Sequence, residues 1–234
     1  MSETLLMVGV RKLGRTIALH FARKGWRVLC ASRTASDVEA LARDVTAAGG
    51  RGVPAVCDLQ RPETLAGFGN DPPDLVIAAQ TMGGRFGTLP LVDIPATELA
   101  QSLAAYPQGT WNLLHAVGPA MLERGRGTFL QIGTSSGVRT KEGFAALGAA
   151  QHALRALVQV AAREWRASGV HVAYVPVDGP IASERTRAAV SGPDRLITPE
   201  GIAEACAYLH SQTPDAWTHE LLLRPTGGDW SAPT

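Results

Sequence analysis

Leu5-Leu6-Met7-Val8-Gly9-Val10-Arg11-Lys12-Leu13-Gly14 decides how the chain is read. Residues 5–9 form a continuous apolar run, the pattern of a strand buried on both faces, as in a parallel sheet. Beyond the second glycine, Ile17, Ala18, Phe21 and Ala22 recur at helical spacing within residues 15–23. Gly25 then stands at the C′ position that ends such a helix. A buried strand, a tight turn and a helix bring backbone N–H groups and a helix N-terminus to one spot, where a pyrophosphate can sit. A Gly-x-x-x-x-Gly pair alone is a weak signal; its position between strand and helix gives it weight. The alternative is a tight strand-to-helix turn that binds nothing.

The same alternation continues outward. Residues 26–31 read as a second strand, and residues 36–48 as an amphipathic helix with Ser36 as N-cap. Residues 52–57 are a third strand, and residues 74–79, after the turn Asp71-Pro72-Pro73, a fourth. A Gly/Pro-rich surface loop is expected over residues 82–95. A long helix follows over residues 96–123, kinked or broken because it must accommodate Pro107 and Pro119. Then come a strand (128–132), a long helix (143–168), a strand (170–175), a helix (199–210) with Thr198 as cap and Pro199 at N1, and a last strand (217–223). Strands and helices joined by short connections predict an α/β fold: a Rossmann-type doubly wound, mostly parallel, seven-stranded sheet with helices on both faces. With 234 residues and no repeat or linker, residues 1–234 are expected to form one domain.

A formal net charge of +1 gives no nucleic-acid footprint. No run of eighteen apolar residues exists, so no membrane span is expected. Met1-Ser2-Glu3-Thr4 lacks a basic n-region, which argues against a secretory signal and for a cytoplasmic protein. Cys30, Cys57 and Cys206 are an odd set without metal-ligand spacing, expected as buried reduced thiols, and no metal site is predicted. Only Lys12, Lys24 and Lys141 are lysines, which restricts any lysine chemistry.

The stretch Ile132-Gly133-Thr134-Ser135-Ser136-Gly137, followed by Gly143-Phe144-Ala145-Ala146-Leu147-Gly148-Ala149-Ala150-Gln151-His152, resembles the catalytic region of the short-chain dehydrogenase/reductase family. In that family a Ser is followed thirteen residues later by a Tyr and four later by a Lys. Laid on this pattern, Thr134 takes the Ser place, Leu147 the Tyr place and Gln151 the Lys place. The family's Asn on the preceding long helix is replaced by Tyr106. Leu147 has no proton to move, and Gln151 hydrogen-bonds without a charge. The resemblance therefore implies the family's fold without its acid–base residues. Thr134 could still orient a carbonyl oxygen, and Tyr106 is the phenol best placed for proton transfer, unless it is simply packed in the core. His152 is expected to face a neighbouring helix or a dimer partner.

The same resemblance assigns a cofactor side. Gly9, Arg11, Lys12, Leu13 and Gly14 form a turn one residue shorter than the family's, with Lys12 near the middle glycine place. Arg33 stands where an acidic residue would hold the ribose of NAD, so NADP is favoured over NAD; Arg11 adds to that charge. Asp58 and Leu59 match the adenine side, and Ala79 the small residue beside the nicotinamide ribose. In Asp178-Gly179-Pro180-Ile181-Ala182-Ser183, Gly179 and Ile181 fit the family, and Ser183 could replace the Thr that bonds the carboxamide. Three readings stay open: an NADP(H)-dependent oxidoreductase on a small carbonyl or alcohol with unusual proton transfer; a non-redox homologue acting as scaffold, sensor, lyase or isomerase; and a turn that admits no dinucleotide. The apolar stripe Leu154, Leu157, Val158 and Ala161 suits either a core face or the interface of a homodimer or homotetramer.

Overall fold

The computed structural model describes residues 2–80 and 89–228. Half of the loop expected over residues 82–95 lies outside them, as does Thr81 after the fourth strand. Six parallel strands, β1 (Thr4–Val8), β2 (Arg27–Ser32), β3 (Arg51–Val56), β4 (Leu75–Ala78), β5 (Gly127–Thr134) and β6 (Val170–Val177), lie in the order β3-β2-β1-β4-β5-β6. Register is continuous, with Leu6 opposite both Leu29 and Val76. The apolar runs divide between the faces with period two. Leu5, Met7, Val28, Cys30, Leu75, Ile77, Leu130 and Val175 face one core. Leu6, Val8, Leu29, Val76, Phe129, Val172 and Tyr174 face the other.

Helices α1 (Leu13–Ala22), α2 (Ala35–Ala47) and α7 (Pro199–Ser211) cover the first face. Helices α4 (Gly109–Arg124) and α5 (Ala145–Trp165) cover the second. Leu154, Val158 and Ala161 are buried in that second core, so most of the α5 stripe is a core face. The expected long helix is three segments: α3 (Ala96–Leu103), a wide π turn (Ala104–Gln108) and α4. Pro107 cannot donate a helical N–H, and the widened turn absorbs the defect. Pro119 leaves α4 continuous.

Two expectations are corrected. Helix α2 begins after Thr34 rather than at Ser36, with no side-chain cap. The sheet has six regular strands, not seven. Residues 217–223 do run parallel to β6: Tyr174 N–H donates to the His219 carbonyl at 2.8 Å, Leu221 N–H to Tyr174 at 3.0 Å, and Asp178 N–H to Leu223 at 2.8 Å. Only isolated bridges result, at Tyr174–Glu220 and Val177–Leu223. The interruption falls at Pro176, which has no N–H to give the ladder. A helix not foreseen, α6 (Glu184–Ala189), follows β6. No helix of the described residues is long and apolar enough to cross a membrane.

Candidate functional site

The sheet order reverses direction at β1, with β2 on one side and β4 on the other. Ligands of doubly wound sheets bind at the carboxyl ends of the strands beside such a reversal. Gly9 leaves β1 there with φ +92°, its N–H donating to the Ala31 carbonyl at 2.9 Å. A Cβ on Gly9 would lie 2.5 Å from the Ala79 oxygen, and one on Gly14 only 1.6 Å from the Gly9 oxygen. Both glycines are therefore required by close backbone approach. Between them, the Gly14 N–H donates to the Arg11 carbonyl at 2.9 Å, with Lys12 at φ 37°, ψ −97°. This is the II′ type of turn, whose first central residue favours glycine. Lys12 is the only non-glycine with positive φ among the described residues. Helix α1 opens from this turn with no side-chain cap and no acidic residue in its first turn. Its leading N–H groups and positive dipole end face the carboxyl edge of the sheet.

Around this turn the expected cofactor residues are distributed as follows. Arg33 is exposed just after β2. Arg11 is also exposed, with Nε donating to Asp37 Oδ2 at 2.8 Å, so Asp37 shares its charge. Asp58 accepts the Gln60 N–H on Oδ1 at 3.0 Å, an Asx turn that shapes its own loop. The buried Leu59 offers its carbonyl to Asn112 Nδ2 at 2.7 Å. Ala79 N–H closes the end of β4 onto the Val8 carbonyl. Gly179 packs against Pro225, where a Cβ would meet the ring at 2.8 Å. Ile181 pairs with Ile197. Ser183 is the N-cap of α6: its Oγ accepts the Thr186 N–H at 3.2 Å in a reciprocal capping box.

At the end of β5, Thr134 Oγ1 accepts the Ser136 N–H at 3.2 Å. Leu147, on α5, is half-buried against the second core. Gln151 is 1% exposed and turned inward: its Oε1 accepts from Thr134 N–H at 3.2 Å and from the Tyr174 hydroxyl at 3.4 Å. Since the Thr134 N–H is an obligate donor, the carboxamide oxygen is the atom fixed there, which turns Nε2 away from β5 and β6. Tyr106 is buried in the second core, in the π turn, with its carbonyl near Gln80 Nε2. The phenol that does lie beside the Thr134 and Gln151 places is Tyr174 from β6. Its ring fills the space left by Gly133 and Gly137, whose added Cβ atoms would meet the hydroxyl at 2.2 and 2.3 Å. Burial pushes that phenol well above its ordinary value, so it stays protonated.

Two further groups at this end of the sheet escaped sequence reasoning. Gln80 Nε2 donates to Thr110 Oγ1 at 2.7 Å, Thr110 donates to Gln131 Oε1 at 2.9 Å, and Gln131 Nε2 donates to the Ala78 carbonyl at 3.1 Å. This buried polar chain joins the ends of β4 and β5 to α4. Asp178, just after β6, is gripped by two arginines: Arg139 Nη2 lies 2.9 and 2.8 Å from its two oxygens, and Arg224 Nε 2.8 Å from Oδ2. Burial pushes the Asp178 carboxyl up, but the bonds and charge of Arg139 and Arg224 outweigh it and hold the group below its usual range. An Arg in the loop after β5 was the one visible signal; its partner 39 residues on was not. The described cavities open elsewhere: about 210 Å³ between α5 and residues 219–220, and about 350 Å³ beside Trp111 and His115. Cys30, Cys57 and Cys206 are all buried, and burial pushes their thiols up to about 12, 11 and 12.

Comparison with known proteins agrees with this layout. A family described as enoyl-(acyl carrier protein) reductase matches residues 9–223. An uncharacterized oxidoreductase of Mycobacterium tuberculosis is 38% identical over 165 residues, which is 66% of this chain and 60% of that protein. Among solved structures, a metagenomic short-chain oxidoreductase in complex with NADP superposes with a TM-score of 0.79 at 26% identity, covering 96% of this chain and 97% of the other. A short-chain dehydrogenase from Rhodopseudomonas palustris gives 0.80 at 24% identity, over 95% and 98%.

Proposed function

The chain belongs to the short-chain dehydrogenase/reductase family, and on that premise we propose that it binds NADP(H) and acts as an oxidoreductase on a carbonyl or alcohol group of a small molecule, with proton transfer that uses no tyrosine–lysine pair. The observation that carries this reading is the start of α1. It is a helix N-terminus without a side-chain cap, opening from a turn whose glycines admit nothing larger, at the reversal point of the sheet. Such a terminus suits a pyrophosphate. Gly9, Lys12, Leu13 and Gly14 would hold it, Arg33 and Arg11 would take a 2′-phosphate, and Asp58 with Leu59 would border the adenine. The NADP complex of the metagenomic relative supports the same choice. Bound nicotinamide supplies hydride.

For the rest, this chain's own residues decide. Thr134 keeps a hydroxyl that can orient a substrate oxygen. Gln151, buried and anchored through its oxygen by Thr134 and Tyr174, supplies no ammonium. Leu147 has no proton to donate, so solvent must supply it; a missing general acid typically costs about 10²–10⁴-fold, which a reactive carbonyl or quinone can tolerate. Titration calorimetry with NADPH and NADH tests the reading. NADPH should bind more tightly, and Arg33→Ala should narrow the preference by about tenfold, or roughly 1.4 kcal/mol. Failure of both nucleotides to bind would overturn it.

A second reading is favoured by one observation: Leu147 and the inward-turned Gln151 leave the reacting end without a titratable pair. On that reading the protein is a non-redox homologue. Restoring Leu147→Tyr with Gln151→Lys separates the two, since a repurposed pocket should gain little ketone reduction. The exposed Leu99 and Leu103 on α3, Trp111 on α4 and Val160 on α5 support a homodimer or homotetramer formed through these helices. A monomer by light scattering at micromolar concentration would refute that.

A further inference from the structure

We propose that the cavity between α4 and the 3₁₀ segment Pro62–Gly69 is a second binding site, for a neutral, planar aromatic molecule that carries one N–H or O–H donor. At about 350 Å³ the cavity falls within the range of small-molecule sites, about 300–1,000 Å³. Pro62 and Ala66 line it from the 3₁₀ segment, and Trp111, Asn112, His115 and Ala116 from α4. A mostly apolar, aromatic lining with a few placed polar atoms is the composition of such sites. Among the described residues no Asp, Glu, Lys or Arg lines the cavity, so nothing there neutralises an ion, and a charged ligand is disfavoured. None of the residues assigned to the cofactor lines it, and neither do Leu99, Leu103 and Val160, the other exposed apolar residues of the helical face.

The polar atoms are placed by α4 itself. His115 Nδ1 lies 2.9 Å from the Trp111 carbonyl, one helical turn back. A carbonyl only accepts, so Nδ1 carries the hydrogen, and in the uncharged imidazole Nε2 is left as an acceptor. The Trp111 and His115 rings lie 4.3 Å apart with a tilt of 31°, so each fixes the other and together they form an aromatic shelf beside the cavity. Trp111 is 46% exposed, so the shelf is open to a ligand. A flat ring laid on it exchanges water for an offset-stacked partner. Asn112 is already engaged: Nδ2 donates to the Leu59 carbonyl at 2.7 Å, and Oδ1 accepts from Gln108 Nε2 at 3.1 Å. The acceptor left for a ligand is therefore His115 Nε2, which calls for a donor on the aromatic ring system.

Calorimetric titration of the full chain at pH 8 with indole and with 1-methylindole, which has the same rings but no donor, tests the proposal. Indole should bind about fivefold more tightly, the worth of one neutral hydrogen bond. It should also shift the Trp111 ring N–H resonance, identified by its loss in Trp111→Phe. His115→Phe keeps an aromatic shelf without the acceptor and should bring the two ligands level, whereas Trp111→Leu should weaken both. Both side chains are exposed, and a thermal scan of each variant verifies folding. Absence of indole binding at millimolar concentration, equal affinities in the parent protein, a preference that survives His115→Phe, or an unmoved Trp111 resonance would overturn the inference.

Discussion

Lys12 sits where the turn wants glycine, and replacing it gives a prediction with a definite sign. At φ 37°, ψ −97° its Cβ is forced into a region that L residues rarely occupy. Such strain typically costs about 1–3 kcal/mol. Lys12→Gly removes it, but also frees the unfolded chain, which takes back about 0.4–1 kcal/mol. The net expectation is a gain of about 1 kcal/mol, equivalent to a rise of roughly 2–4 °C in Tm for a chain of this size. Lys12→Ala is the control, since it loses the ammonium and stem but keeps the strained backbone. Calorimetric unfolding of the three proteins at one pH should therefore rank Gly above both Ala and the parent, with Ala and the parent close together. If Lys12→Gly is less stable than Lys12→Ala, backbone strain does not govern this turn. The Lys12 side chain would then be secured by contacts that outweigh its conformation.

Gln131 is fully buried and donates to the Ala78 carbonyl while accepting from Thr110, so Gln131→Leu should take a donor from that carbonyl and the acceptor from the Thr110 hydroxyl, at a cost of about 1–3 kcal/mol in urea unfolding; a neutral result would mean that water or a rearranged Gln80 takes its place. Burial holds the His171 imidazole, stacked on Trp217, below its ordinary 6.5. The folded state therefore binds fewer protons than the unfolded one. The stability it contributes is fully present above pH 6.5 and falls as the pH drops from there toward the folded value. His171→Gln should flatten that slope between pH 7 and 5 in a pH series of Tm, whereas Asp178, also held low, contributes a loss only below its ordinary 3.8. An unchanged slope in His171→Gln would assign the acid sensitivity to other groups.

Much of this was legible from local pattern. Runs such as Leu5–Val8 and the helical spacing of Ile17, Ala18 and Phe21 fix a buried strand and its covering helix, because side-chain period is a property of the backbone itself. The Gly9–Gly14 spacing located the tight turn for the same reason: only glycine tolerates such backbone approach. The identities of Leu147 and Gln151 were equally plain in the sequence. Other features were beyond that reach. That Pro176 would reduce the seventh strand to two bridges depended on which ladder its missing N–H would face. Tyr106 lies buried in the π turn, and Tyr174, hidden in an apolar run, reaches Gln151; both placements depend on distant packing. That Ser183 caps α6 depended on the helix that follows it, which the sequence had not disclosed. Arg139 and Asp178 are 39 residues apart and Asp178 and Arg224 46 apart; Gln80 and Gln131 are 51 apart. Sequence determined which segments become strands, turns and helices, because those depend on neighbours a few residues away. Tertiary structure alone decided which polar groups pair at the carboxyl edge of the sheet, because long-range hydrogen bonds and desolvated charges acquire their partners only when the strands are laid side by side.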